Sequence, residues 1–382
     1  MVGTLTVKRR HILLAGGGHA HAVALRNLVK RPPDAGIRLT LVSPTTHNLY
    51  SGALPGVIAG HWQSEAIGVP LQPLCKAAGA EFLQDKIVMI DPDDCTATLA
   101  SGKIIPFDLA SLDIGSGILP LEADASHGMI VPIRPITPFL DQWHTSLARI
   151  KAGSVPPVVI VAGAGLAGIE VALAIHFRLQ QEGIPAARTL LVDPGNQIAA
   201  SSSGALRNKL GRALQKSGVS LNLETRIQTV RDHAVAFSSG AEIQAALVVN
   251  CAGSAPHDWI SKTGLATVGG RIEVDACLRS SSHPHIWAAG DTSHFKPEPL
   301  APAGVFAVRS GSVIAENIRR FSKNVPLSEF HPQSDYLKLV SLGSRLAVAE
   351  KFGLTLEGGW VWHLKKYIDF SFLREHSLPP GH

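Results

Sequence analysis

The sequence is poor in the residues that crosslink chains, grip nucleic acid or cross membranes. Its 382 residues hold four cysteines, Cys75, Cys95, Cys251 and Cys277, all far apart. With no C-x-x-C or similar pair, neither a disulfide scaffold nor a cysteine-metal cluster is expected, and a reducing, cytoplasmic compartment fits. Charged residues make up only 17%, and 35 basic residues face 30 acidic ones with no dense Lys/Arg stripe. Nucleic acid is therefore not an expected partner, although the mild basic excess suits anionic cofactors or an anionic membrane surface. No run approaches the roughly 18 apolar residues of a membrane span. Lys8, Arg9 and Arg10 precede only a short apolar run, 12–15, too brief for a signal-peptide core. Seventeen histidines are present without an H-E-x-x-H spacing, so no metal site is expected.

What the chain has is length for two cores, 45% hydrophobic residues and 36 glycines. The apolar run 12–15 reads as a buried parallel strand, closed by Gly16, Gly17 and Gly18. After His19 and Ala20 a helix is expected, because Ala22, Leu25 and Leu28 recur at helical spacing. Strand, glycine turn and helix are the parts of a dinucleotide-binding turn, in which backbone N–H groups meet a pyrophosphate. Two departures stand out. His21 fills the third glycine position, and the strand over 37–42 ends at Ser43 where a ribose-binding acid is usual. A serine hydroxyl meets ribose less strongly than a carboxylate does.

A second copy of the pattern is complete. The β-branched strand 158–161 leads into Gly163, Gly165, Leu166, Ala167 and Gly168, then a helix, then a strand over 189–193 closed by Asp193. That carboxylate is placed to bind a 2′-hydroxyl and reject a 2′-phosphate, which favours NADH over NADPH. Each unit closes on a strand followed by glycine, at Gly115 and again at Gly253, so the chain reads as a divergent duplication holding two nucleotides. Glu170 fits two readings, a helix residue favouring the positive N-terminal end or a carboxylate beside the nicotinamide. His19 and His21 read first as packing or hydrogen-bonding groups. Further helices are expected over 139–150 and 205–217, strands over 81–83, 86–90, 96–99, 219–230, 234–237 and 246–251, and an irregular crossover over 118–136. Stretch 46–60 reads as a loop with one short helix.

Residues 286–291, Ile-Trp-Ala-Ala-Gly290-Asp291, placed after two glycine turns, resemble the second flavin signature of the pyridine nucleotide-disulfide oxidoreductase superfamily. Within it, the stretches 16–21, 49–60, 303–309 and 360–369 are similar to type II NADH dehydrogenases, and more narrowly to the flavoprotein module found fused to selenide, water dikinase. The kinase domain itself is not in this sequence. The resemblance implies an α/β fold of two Rossmann-like dinucleotide-binding domains, glutathione reductase-like, with a small α+β C-terminal region. It implies FAD binding by residues 1–118 and 280–325, NAD(P)H binding by 119–279, and a C-terminal interface or cap over 326–382.

It also implies that FAD is held by Gly16, Gly17, Gly18, His19, Ala20, Ser43, Gly115, Gly290 and Asp291, with Gly304 and Val305 in a helix expected over 299–318 and aimed at the flavin. NADH falls to Gly163, Gly165, Leu166, Ala167, Gly168, Asp193 and Gly253, and catalysis to Glu170, Tyr50 and Ser51. Disulfide-reducing members carry a cysteine pair where this chain has 46–60 without cysteine, so a thiol relay is excluded. The expected activity is that of an FAD-dependent NAD(P)H dehydrogenase, with hydride passing from NADH to FAD and electrons going directly to a quinone or other small acceptor. The alternative is a nucleotide-binding flavoprotein that serves as a redox sensor or partner module linked to selenophosphate synthesis. The C-terminal stretch 336–349 reads as a hairpin and 358–373 as a helix rich in Trp, Lys and aromatics. That region either touches the inner face of a membrane peripherally, covers the flavin domain, or forms a homodimer contact.

Overall fold

Strands that are apolar along their whole length must be covered on both faces. Two such strands organise the computed structural model, which describes residues 9–125 and 129–377. Arg10–Ala15 is buried from His11 onward and Val158–Ala162 throughout. Each is the central strand of a five-stranded, all-parallel sheet. The first sheet runs Ile286–Ala288, Leu109–Leu112, Arg10–Ala15, Ile37–Ser43, Ala80–Gln84. The second runs Ile130–Pro132, Leu247–Asn250, Val158–Ala162, Arg188–Val192, Ser220–Asn222. An antiparallel meander precedes the closing strand in both, Ile87–Asp91, Thr96–Leu99 and Ile104–Pro106 in one, Ile227–Arg231, Ala234–Phe237 and Glu242–Gln244 in the other. The repeated order makes the duplication visible. The edge strand Ile286–Ala288 arrives only after the second sheet is complete, so the second unit is inserted into the first.

Helices His19–Lys30 and Leu166–Gln181 follow the two central strands. Gly304–Lys323 crosses the first of them at very short range: a Cβ on Gly311 would stand 2.4 Å from the Ala20 carbonyl oxygen and 2.6 Å from Val23 Cβ. A third, antiparallel sheet, Lys338–Ser341, Ala347–Lys351 and Leu354–Gly358, leads into the last helix, Gly359–His376.

Several local readings shift. The expected C-terminal hairpin gains a third strand. The helix after Asp291 begins at Gly304, because prolines at 299 and 302 hold the preceding chain extended. Stretch 219–230 divides into Ser220–Asn222 and Ile227–Arg231, with Glu224 between them at φ 51°. Stretch 46–60 contributes strand His47–Leu49 as well as helix Leu54–Ile58. The crossover 118–136 supplies the edge strand Ile130–Pro132, and helix Leu71–Ala77 had no expectation attached to it. Lys8 and the outermost ends of the expected domains lie outside the described residues.

The Gly311 crossing sets a test of the packing. Gly311→Ala is expected to cost about 1–3 kcal/mol by overpacking. Gly36→Ala, where an added methyl meets no atom within 4 Å, should stay within about 0.5 kcal/mol of the parent. Denaturant midpoints measure both, and equal midpoints would contradict the close crossing.

Candidate functional site

Both glycine turns press a residue of left-handed backbone against the closing strand. Gly16 has φ 98° and Gly163 φ 106°. A Cβ on Gly16 would lie 2.5 Å from the Asp113 carbonyl oxygen, and one on Gly163 would lie 2.8 Å from the Cys251 carbonyl carbon. Glycine alone fits. The following helices start from N-caps Gly18 and Gly165, neither of which has a capping side chain, and neither helix carries an acid in its first turn. Both helix N-termini point N–H groups outward as candidate anion seats, although at the first one Ala20 and His21 N–H already donate to the Asp113 carboxylate. Gly165 and Ala167 are exposed, Leu166 is half-buried, and a Cβ on Gly165 would meet nothing within 4 Å. Gly17, Gly18 and His19 are half-buried around the first seat, with Ala20 buried behind them.

The third glycine position is solved differently in the two turns. At Gly168 a Cβ would stand 1.8 Å from the Gly163 carbonyl oxygen, so a side chain is barred. His21 instead lies fully buried, with Nδ1 2.6 Å from the Gly16 carbonyl oxygen and Nε2 2.9 Å from Ser111 Oγ. A carbonyl only accepts, so Nδ1 carries the proton and Nε2 accepts from the serine. Burial pushes the His21 pKa down to about 4, keeping the ring neutral. The imidazole thus ties the turn to the closing strand.

Ser43 is buried beneath Gly17, its hydroxyl donating to the Thr45 carbonyl oxygen at 3.0 Å. Asp193 directly follows its strand, Arg188–Val192, and its carboxylate ties its own loop to the second turn. Oδ2 accepts from Ala164 N at 2.6 Å and Oδ1 from Gly195 N at 2.7 Å. Gly115 and Gly253 occupy matching places beyond the two closing strands at φ 67° and 57°. The chain beyond them joins the units, where Gly117–Ile118 pairs antiparallel with Ser254–Ala255. Gly290, at φ 60°, precedes Asp291. Asp291 Oδ2 accepts from Ser116 Oγ and from Arg134 at 2.9 Å each, and its carbonyl oxygen accepts from Arg271. Gly304 and Val305 begin the long helix, Gly304 exposed and Val305 half-buried. Neither arginine had a signal in the sequence, since a lone arginine in a loop resembles any surface cation.

Between the two seats lies a polar network, buried at Lys365 and Asp369 and half-buried at Tyr50 and Glu170. The Tyr50 ring sits 5.5 Å from that of His19 and 4.9 Å from that of Phe372. Its phenol faces Asp369, and burial followed by that carboxylate raises the Tyr50 pKa. Lys365 Nζ donates to Asp369 Oδ2 at 2.9 Å and to the Gly52 carbonyl oxygen at 2.6 Å, next to half-buried Ser51. Glu170, on the second turn-helix, accepts from Ser341 N at 2.6 Å and feels the Lys365 charge. Desolvation outweighs that charge and pushes Glu170 up to about 7. The structure therefore brings Tyr50, Ser51 and Glu170 to one cluster. It adds Lys365 and Asp369, an i,i+4 pair on the last helix to which the sequence reading gave no role. No thiol joins the cluster as a reactive group: burial pushes Cys75 and Cys251 up to about 12 and raises Cys95 and Cys277, so none is poised as a thiolate.

Comparison with known proteins agrees with this geometry. Residues 10–306 match the family model for pyridine nucleotide-disulphide oxidoreductases. An NADH dehydrogenase-like protein of Mycobacterium tuberculosis is 29% identical over 60% of this chain, a match that spans 59% of that protein's length. A type II NADH:quinone oxidoreductase of Staphylococcus aureus is 23% identical over 94% of both chains. Among solved structures, the sulfide:quinone oxidoreductase of Aquifex aeolicus superposes with TM-score 0.80 at 20% identity, covering 97% of this chain and 93% of that one. NDH2 of Plasmodium falciparum, solved with NADH, gives 0.78 at 13% identity over 97% and 99%. Two parallel sheets with matching glycine turns and a family match over most of its length place this chain in the pyridine nucleotide-disulphide oxidoreductase family.

Proposed function

We propose that the chain is an FAD-dependent NADH oxidoreductase that passes electrons directly to a quinone or similar small acceptor, with no redox disulfide. One observation carries this reading: a thiol-free polar network of buried Lys365 and Asp369 with half-buried Tyr50 and Glu170 spans from the first dinucleotide helix to the second. The relatives named as NADH dehydrogenase-like and type II NADH:quinone oxidoreductase support it.

The residues present fit both nucleotides, because each turn places a helix N-terminus beside glycines with no side chain of its own N-cap in the way. Residues 1–118 with 280–325 would hold FAD, through Gly16, Gly17, Gly18, His19 and Ala20 on the pyrophosphate and Asp291 on the ribityl hydroxyls. Ser43, Gly115, Gly290, Gly304 and Val305 line the same site. Residues 119–279 would hold NADH, through Gly163, Gly165, Leu166, Ala167, Gly168 and Gly253, with Asp193 on the ribose. Segment 326–382 is the cap. Bound FAD supplies the chemistry that accepts a hydride from NADH and hands electrons on. Glu170 holds the proton that acceptor reduction consumes, and Lys365 and Asp369 fix its surroundings, while Tyr50 and Ser51 shape the acceptor's side of the cluster.

In an anaerobic stopped-flow experiment, NADH should bleach the bound flavin in the parent and in Glu170→Gln alike, while NADPH does so at least tenfold more slowly. Reoxidation by a soluble quinone should fall about a hundredfold in Glu170→Gln. Because the protonated carboxyl is the active form, the parent's reoxidation rate should drop as pH rises through about 7, and the variant should lose that step. A flavin that NADH does not bleach would overturn the function, and an unchanged quinone rate would overturn the role of Glu170.

The same module carries a membrane-facing surface in this reading. Phe352, Leu354, Leu356, Trp360 and Tyr367 are more than half exposed along the third sheet and last helix, interleaved with exposed Lys351 and Lys366. Among the described residues no helix is long and apolar enough to cross a membrane, so contact would be peripheral. Sedimentation with anionic phospholipid vesicles should retain the parent, and Phe352→Ser/Leu354→Ser should lose most of that binding. Equal retention of the two proteins would contradict it.

A further inference from the structure

The duplicated units also differ at a buried position just past the closing strand. Asp113 follows the closing strand Leu109–Leu112 as Cys251 follows Leu247–Asn250, and both lead to a left-handed glycine two residues on. The first turn alone therefore has a carboxylate beneath its helix. Asp113 is 3% exposed, and its Oδ2 accepts from His21 N at 3.1 Å. Ala20 N donates to the same carboxylate, and Gly18 N donates to the Asp113 carbonyl oxygen at 3.2 Å. A Cβ on the N-cap Gly18 would stand 2.2 Å from Oδ2, and one on Gly290 would stand 3.2 Å from Oδ1. Asp113 thus caps, from a neighbouring strand, the helix whose N-cap has no side chain of its own. It is also an anion placed where another anion is to sit.

We propose that Asp113 couples FAD binding to the uptake of one proton: its ionised carboxylate opposes the pyrophosphate at this helix end, and its neutral form admits it. The inference rests on the FAD reading above. The groups facing Asp113 leave it as the titrating member. From the helix come His19 and His21, both held down to about 4 by burial and so neutral across the relevant range. From the loop after Ile286–Ala288 comes Asp291, already paired with Arg134, whose charge adds to the repulsion. Thr292 Oγ1 and Ser111 Oγ are the uncharged neighbours, bonded to Ile114 N and His21. Desolvation, offset in part by the two helix N–H donors, brings the free carboxyl to about 7. A neighbouring pyrophosphate raises it further, so above that pH binding draws a proton from water onto Asp113.

The test follows flavin retention by the full chain, purified with its FAD and diluted between pH 6 and 9, with released flavin read by fluorescence. The parent's Kd for FAD should be level below about pH 7 and then rise towards tenfold per pH unit. Asp113→Asn, which keeps an acceptor for His21 N, should hold FAD with a level profile. A level parent profile, or the same rise in both proteins, overturns the proposal. If the variant does not fold, the parent alone decides. FAD added at pH 8 to the flavin-depleted full chain in weak buffer with a pH indicator should take up close to one proton per site, and no uptake overturns the proposal. A chain that retains no FAD at any pH would instead overturn the cofactor reading, and this inference with it.

Discussion

The molecule depends on two places where main chain passes main chain with no room for a side chain. At Gly16 and Gly163 the turn after a central strand lies against the end of the closing strand, and a single methyl would collide with backbone at 2.5 and 2.8 Å. Those contacts bring each helix N-terminus over the carboxyl edge of its sheet, the place where α/β sheets bind ligands. Because the second unit is inserted between the first unit's closing strand and its edge strand, both edges converge on the Gly117–Ile118 and Ser254–Ala255 pairing. The two anion seats are therefore fixed by one continuous piece of geometry.

The C-terminal module completes what that geometry begins. Lys365 reaches Gly52 of the first unit, and Ser341 N reaches Glu170 of the second. Burying an ammonium beside two carboxylates is tolerable only with each polar atom engaged, and removing the lysine would strand Asp369 and Glu170 together. A cluster of this kind adds little net stability. Its consequence is a carboxyl near neutrality, Glu170, in a place without thiols. Covering the Tyr50–Glu170 cluster and presenting exposed apolar residues are compatible for one module.

The sheets, both turns, the duplication and the meeting of Tyr50, Ser51 and Glu170 were legible because each rests on local pattern: apolar runs, glycine spacing, a family signature. What was not legible rests on tertiary placement. Asp113 is one more residue at a strand end until the helix N-terminus is seen above it. Lys365 and Asp369 carry the i,i+4 spacing of a solvated helix face, and only the packing of Gly359–His376 against the first unit buries them. His21, expected to be a packing or hydrogen-bonding group, is one, and only its partners, the turn and the closing strand, needed the structure. Strand Leu354–Gly358 escaped notice because its large apolar residues face solvent.

The central claim is that electrons cross this protein without a thiol. It is tested most directly by NADH:quinone turnover in a chain lacking all four cysteines, Cys75→Ala, Cys95→Ala, Cys251→Ala and Cys277→Ala. Their thiols are held protonated and scattered, so turnover should stay within about threefold of the parent, less than one kcal/mol in barrier. A folded, flavin-loaded variant that NADH still reduces but that no longer passes electrons to quinone would contradict direct transfer.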